Sequence, residues 1–379
     1  MITPRIARLK LTDFRSFEAL DARFGSMLVA LSGENGVGKT NLLEALSLFA
    51  PGRGLRRVAL TEMARIGGSG GFAVAAEVES ANGAATLGTG IEASANAQNG
   101  ARRTRVNGAP AASSGAFSEY LRIVWMTPSL DGLFNGPGGD RRRFVDRLVL
   151  AIDPGHAGRA ASLEQALRSR NRLLEEARPD ASWLDAVERQ IAELGVAIAA
   201  ARRETVERLA ALIAAQRDDG SLFPFAEFAL AGETDKLILE HAAIEAEDRL
   251  RRALREMRPR DRAAGRCLIG PQTSDLLVRH GPKGVPAARA STGEQKALII
   301  GIVMAHAHLV AQMSGIAPLV LLDEVAAHLD PLRRGALFGA LAALGSQVFM
   351  TGADRALFGD LPAGAELFEV TPGRLAKAA

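Results

Sequence analysis

The stretch Gly33-Glu34-Asn35-Gly36-Val37-Gly38-Lys39-Thr40 follows the pattern G-x-x-x-x-G-K-[ST]. Its glycines let consecutive backbone N–H groups curl inward around phosphate oxygens, and a helix beginning near Gly38 would aim its N-terminal dipole at the same anion. Lys39 adds a mobile positive charge for β- and γ-phosphates, and the Thr40 hydroxyl suits Mg²⁺. These residue types predict nucleotide binding. They leave open what the nucleotide is for.

A loop of this kind needs a carboxylate for the metal at the end of a neighbouring strand. Pro318-Leu319-Val320-Leu321-Leu322-Asp323-Glu324 supplies four apolar residues fit for a buried parallel strand, then two adjacent carboxylates. Asp323 is expected to hold Mg²⁺ through its water shell. Glu324, pointing the other way, is expected to orient and deprotonate an attacking water. A third segment, Ser291-Thr292-Gly293-Glu294-Gln295-Lys296, has two readings. Ser291 with Glu294, and Thr292 with Gln295, are capping-box pairs that simply start a helix. A capped helix N-terminus with an exposed glycine is also an anion site, and the readings differ in whether a second molecule presents the anion.

Periodicity supplies the elements that must carry these groups. Ala7, Leu9 and Leu11 alternate with Arg8 and Lys10 as in a strand, and Met27 to Leu31 is an apolar run directly before the glycine loop. Leu42, Leu43, Ala45, Leu46 and Phe49 then keep helical spacing up to Pro51-Gly52. Residues 67 to 124 are β-rich, with turn signals at Asn82-Gly83, Asn99-Gly100 and Asn107-Gly108. Two helical patterns follow, Ser162 to Ala177 and Trp183 to about Leu212, broken at Arg178-Pro179-Asp180. They predict a helical hairpin with a modest arm of about 45 to 50 Å. A short β segment (Leu222 to Leu230), a helix (His241 to Met257), β structure from Ile269 to His280, a helix from Gly293 to about Gln312, and strands at Leu319 to Leu322 and Gln347 to Thr351 complete the pattern. The expectation is an α/β nucleotide-binding lobe split in sequence (1–130 and 262–379), with an inserted, mainly helical second lobe (131–261).

Composition narrows the class. The 379 residues are 47% hydrophobic and 23% charged, an ordinary globular balance with chain enough for two or three domains. The net charge of +3 is weak evidence for nucleic acid. A single cysteine, Cys267, excludes an internal disulfide framework and a multi-cysteine metal site. With no apolar run of about 18 residues, the chain is expected to be soluble and cytoplasmic, with no membrane partner.

At this point a resemblance becomes specific. Phe14-Arg15-Ser16, GENGVGKTNLLEAL (Gly33 to Leu46), the run Arg141 to Asp146, Ile269-Gly270-Pro271 with Asp275-Leu276, STGEQKAL (Ser291 to Leu298), LLDEVAAHLD (Leu321 to Asp330) and QVFMTGAD (Gln347 to Asp354) occur in the order seen in the bacterial RecF family. That family lies within the ABC/SMC class of ATPases, and the similarity spans nearly the whole chain. It implies an ABC-type ATPase core and ATP with Mg²⁺, with Arg15 and Asn41 joining the loop at the nucleotide. It also implies that Ser291, Thr292, Gly293, Glu294, Gln295 and Asp330 act in trans on ATP held by a second copy. DNA replication and recombinational repair are the implied setting. The partners would be DNA at gaps or single-strand/double-strand junctions, an ATP-dependent homodimer, and RecO and RecR assisting RecA loading.

Departures from the wider ATPase pattern point to slow, switch-like, DNA-dependent hydrolysis. Glu294 stands where transporter signatures have a second glycine, no histidine occurs from Thr351 to Asp354, and no glutamine lies near Met126-Thr127-Pro128. A transporter-type ATPase subunit would call for that second glycine. An SMC-like structural ATPase would call for hundreds of coiled-coil residues. For DNA phosphates the candidates are Arg102, Arg103 and Arg105, Arg141 to Arg143, and the arginines from Arg251 to Arg262, with solvated helix faces as the competing reading. His306 and His328 are read as structural.

Overall fold

A computed structural model describes residues 1–81, 83–93, 101–217, 220–327 and 329–378. The chain opens with β1 (Arg5–Phe14), β2 (Phe17–Arg23), β3 (Leu28–Ser32) and α1 (Lys39–Ser47), followed by β4 (Phe72–Ser80), β5 (Gly83–Ile91), β6 (Arg103–Val106), β7 (Ala109–Pro110) and β8 (Ile123–Met126). The middle of the chain holds α2 (Gly138–Ile152), α3 (His156–Glu175), α4 (Ala181–Ala215), β9 (Ala226–Ala231), α5 (Glu233–Glu240), α6 (Ala243–Ala264), β10 (Asp275–His280) and β11 (Val285–Pro286). It closes with α7 (Thr292–Ser314), β12 (Leu319–Leu322), α8 (Pro331–Ala343), β13 (Val348–Gly352), β14 (Glu366–Thr371) and β15 (Arg374–Lys377).

Two compact units result. The first comprises Met1–Asp131, Asp218–Pro224 and Ser291–Ala379, and the second Gly132–Arg217 and Phe225–Ala290. Residues 262–290, grouped with the first lobe from sequence, cluster with the second unit, because β10 pairs with β9 inside it.

The first unit contains two six-stranded sheets. One is antiparallel, in the order β2-β1-β4-β5-β6-β7. Asn107 and Gly108 both take positive φ (52° and 82°) between β6 and β7, the backbone a two-residue hairpin turn requires. The Asn82 and Asn99-Gly100 signals lie outside the described residues. The other sheet runs β15-β14-β3-β13-β12-β8, with β14, β3, β13, β12 and β8 parallel. Its β3, β12, β13 and β8 are buried at every residue, which is why they are uninterrupted apolar runs and not alternating ones. Gln347, fully buried, accepts from the Ile6 N–H (2.7 Å) and donates to the carbonyls of Ile6 and Ser26, tying β1 to the start of β13. Between the sheets, Phe24 meets Phe349 and Phe368 edge-on, with ring centres 4.9 and 5.4 Å apart.

α7 begins at the Ser291 capping box and ends where Gly315 turns left-handed at φ 72°. Among the described residues it is the helix long and apolar enough to cross a membrane, and most of it is buried inside the fold as a core helix.

In the second unit α3 and α4 form the expected hairpin, with Asp180 capping α4 through the N–H groups of Ser182 and Trp183. At 35 residues α4 spans about 50 Å. Ile191, Val196, Ile198, Leu250 and Leu254 form the apolar core against α3 and α6. Arg170, inaccessible to solvent, crosses that core to Glu188 (2.9 Å) and Asp261 (2.6 Å). α5, β2, β14 and β15 are elements that periodicity alone did not mark.

Candidate functional site

Strand order builds the site. β3 ends in the glycine loop and β12 ends in Asp323, yet they are not neighbours, because β13 runs between them. All three are parallel, so their C-terminal ends open on one edge, the edge where ligands bind in open α/β sheets.

In the loop, Gly33 has φ 152° and a side chain there would run into the Val370 carbonyl. Gly38, at φ 114°, lies so close to Ser16 that a Cβ would come 2.6 Å from the Ser16 hydroxyl. Ser16 also accepts from the Asn41 amide at 3.0 Å, so the Phe14-Arg15-Ser16 segment buttresses the loop from behind. Lys39, the first residue of α1, is buried and bridges the loop with Nζ, donating to the carbonyls of Gly33 (2.5 Å) and Glu34 (2.8 Å). Burial pulls its pKa below the ordinary lysine value, against the opposing pull of Glu324 and Asp323.

Thr40 donates its hydroxyl to Asp323, 3.0 Å from Oδ1 and 3.1 Å from Oδ2. Asp323 is buried, and its N–H is held by the Met126 carbonyl at 2.9 Å. A hydroxyl beside a carboxylate is a hard-oxygen pair of the kind Mg²⁺ takes from protein while keeping water and phosphate as its other ligands. Among the described residues there is no cluster of three or more His, Cys, Asp or Glu, and this donor set does not depend on one. Glu324 departs from Asp323 with a left-handed backbone, φ 49°. Its N–H donates to Thr351 Oγ1 at 2.8 Å, and its carbonyl accepts from Lys296 Nζ at 3.4 Å.

Thr351 is the residue that sequence reasoning passed over. It was noted there as a position lacking histidine, whereas its hydroxyl touches both acidic residues, donating to Asp323 Oδ1 at 2.8 Å. A hydroxyl ending the apolar run of the expected strand Gln347 to Thr351 was the available signal.

Arg15 is anchored on α1. Its guanidinium makes a two-pronged contact with fully buried Glu44 of α1, both distances 2.8 Å, and reaches the Glu62 carbonyl. Arg56 shares Glu44 at 2.9 Å and contacts the Asn41 side chain at 3.0 Å. Ser291 caps α7 reciprocally with Glu294: the Ser291 N–H donates to Glu294 Oε2 at 3.0 Å, and the Glu294 N–H to Ser291 Oγ at 3.4 Å. Ser291 and Thr292 are exposed, Gly293 and Glu294 half-buried, and Gln295 and Lys296 buried. Asp330 caps α8 by accepting from the Arg333 N–H at 2.9 Å. The Arg333 guanidinium, carried on the first turn of α8, lies against Gly293 in the first turn of α7.

Several arginines singled out for DNA are committed elsewhere. Burial lowers Arg102 to a pKa of about 10, and it donates to the carbonyls of Leu48 and Gly52 past the C-terminal end of α1. Arg141 holds Asp275 with two hydrogen bonds (2.8 and 2.7 Å), Arg142 holds the Ser274 carbonyl, and Arg143 pairs with Asp140. In α6, Arg258 pairs with Glu188 and Asp185, Arg255 with Asp185, and Arg251 with Asp248. Arg103 faces Glu92 at 3.3 Å, and Arg105 reaches no further than the Gly108 carbonyl. His306 is buried in α7, and His328 lies outside the described residues.

Comparison with known proteins places this arrangement. Residues 5–374 match the family model described as RecF/RecN/SMC N terminal domain. The chain is 53% identical to the DNA replication and repair protein RecF of Mesorhizobium japonicum, over 97% of this chain and 96% of that one. It is 50% identical to RecF of Rhizobium meliloti over 98% of both. Among solved structures, the fold matches the recombination mediator protein RecF-ATPrS in the RecFOR pathway with a TM-score of 0.87 at 22% identity, covering 100% of this chain and 99% of that one. It also matches an SMC head bound to the C-winged helix domain of ScpA with a TM-score of 0.54 at 15% identity, over 99% and 97% of the two chains. A phosphate loop at the end of β3, two carboxylates at the end of β12 and 50–53% identity to relatives over nearly the whole chain agree: the chain belongs to the RecF family of DNA replication and repair proteins, within the ABC/SMC-type ATPase class.

Proposed function

We propose that ATP closes two copies of this chain on DNA at a gap or a single-strand/double-strand junction, and that slow hydrolysis releases them. Gly33, Glu34, Asn35, Gly36, Val37, Gly38, Lys39, Thr40 and Asn41 cradle the β- and γ-phosphates. Thr40 and Asp323 hold Mg²⁺, which when bound neutralises charge on the phosphate oxygens. Glu324 takes the proton of the attacking water. Arg15 joins this set at the nucleotide, held on α1 by its two-pronged contact with Glu44.

Ser291, Thr292, Gly293, Glu294, Gln295 and Asp330 face the γ-phosphate of ATP held by the second copy. The observation that carries this reading is the Arg333 guanidinium from the first turn of α8 lying against Gly293 in the first turn of α7, with Leu332, the large apolar residue before Arg333, 70% exposed. Positive helix ends next to an uncovered apolar side chain suit a face that closes on an anion and a protein surface together. ATP binding to this face stabilises the dimer by mass action, and its loss returns monomers. In this reading the chain assists RecA loading with RecO and RecR; the RecFOR setting of the solved RecF structures supports the RecO and RecR partnership.

DNA binding to gapped and blunt duplexes, with and without ATP, across a salt series, tests the reading. Tighter binding to gapped DNA with ATP, weakening steeply with salt, is expected. Equal affinity with and without ATP overturns it.

A further inference from the structure

We propose that Thr351 is a positioning residue whose one hydroxyl sets both the Asp323 carboxylate and the Glu324 backbone. The inference rests on the reading of Asp323 and Glu324 as the metal-holding and water-activating residues. It adds a residue from the strand between them and the phosphate loop.

The geometry leaves the hydroxyl one orientation. The Glu324 N–H, 2.8 Å away, can only donate, so Thr351 Oγ1 receives that bond on a lone pair. Its single proton then goes to Asp323 Oδ1, also 2.8 Å away. Thr351 is inaccessible to solvent, so water does not replace either bond. Thr40 gives Asp323 a second hydroxyl contact, so one hydroxyl from the first turn of α1 and one from β13 fix the carboxylate. The same contact also restrains Glu324. Its backbone is left-handed at φ 49°, a conformation that non-glycine residues hold only when neighbours impose it. Thr351 grips the N–H and Lys296 the carbonyl of this one residue. Thr351 thereby holds the backbone from which the Glu324 side chain leaves.

Thr351→Val keeps the shape and removes the hydroxyl; Thr351→Ser keeps the hydroxyl and removes the methyl. The full-length chain is titrated with a fluorescent ATP analogue without and with Mg²⁺, and hydrolysis is followed in the presence of gapped DNA. The Val variant is expected to bind the analogue without Mg²⁺ as the wild type does, to lose most of the Mg²⁺ enhancement, and to turn over about ten-fold more slowly at little-changed KM. The Ser variant is expected to recover both. Thr351→Ala serves in the same comparison if the Val chain does not fold.

A Val variant with full Mg²⁺ response and wild-type turnover overturns the role of Thr351. So does a Ser variant as impaired as Val, which would make the methyl packing the cause. A wild-type chain with no Mg²⁺ response overturns the underlying site reading instead, and this inference with it.

Discussion

The Thr40 hydroxyl and the Asp323 carboxylate, 283 residues apart in the chain, meet at 3.0 and 3.1 Å. Thr40 arrives on the first turn of α1 and Asp323 on the last step of β12, with β13 lying between β3 and β12. The parallel sheet turns two distant motifs into one oxygen pair.

Lys39→Ala should weaken ATP binding by about a hundred-fold, the worth of two charge-assisted hydrogen bonds, and with it ATP-stimulated DNA binding. Filter binding with labelled ATP measures the first and DNA mobility shift the second. Undiminished ATP stimulation of DNA binding would sink the clamp.

Glu324→Gln keeps the side chain's shape and removes the base, so hydrolysis should fall by about two to four orders of magnitude while ATP stays bound. Gel filtration with ATP and Mg²⁺ should then show dimer accumulating. A variant that remains monomeric argues against a site shared between copies.

Ser291→Arg puts a long cation on an exposed cap. ATP binding to the monomer should be intact and dimerisation lost. If nucleotide binding itself disappears, the segment is only a helix cap.

Arg170→Ala would leave Asp261 without its guanidinium partner and Glu188 with Arg258 alone, both carboxylates shielded from solvent in the second unit. Removing one member of a buried ion network costs about 3–5 kcal/mol, so that unit should melt well below its normal temperature. Circular dichroism on heating tests this, with ATP binding by the first unit expected to persist at low temperature.

Asp146 sets an acid limb. Burial would raise its pKa, but hydrogen bonds from His156 (2.8 Å) and Arg202 (2.7 and 2.8 Å) outweigh that and hold it at about 2. A folded-state pKa below the unfolded value contributes stability above the ordinary aspartate range. That contribution, about 2 kcal/mol, is lost as pH falls from roughly 4 towards 2. Urea midpoints across this range should fall more steeply for the wild type than for Asp146→Asn. Parallel curves would show that Asp146 carries none of the acid sensitivity.

Much of the site was legible because its residues are local. GENGVGKT needs eight consecutive residues and a helix start, and Asp323-Glu324 needs only the apolar run before it; the structure gives both the expected elements. What Arg15 and Arg102 meet was not legible in the sequence. Their surroundings, Glu44 for one and the carbonyls past α1 for the other, come from distant or unpatterned segments. The strands β14 and β15 escaped notice because segments of six and four residues carry little periodic signal.

The sequence by itself determined the class of chemistry, a phosphate loop with a carboxylate-bearing strand, because spacing within one turn or one strand is a local property. Tertiary structure decided which residue stands between them. Placing β13 between β3 and β12 is a matter of sheet order, a long-range packing outcome, and it puts the Thr351 hydroxyl on Asp323 and Glu324 at once.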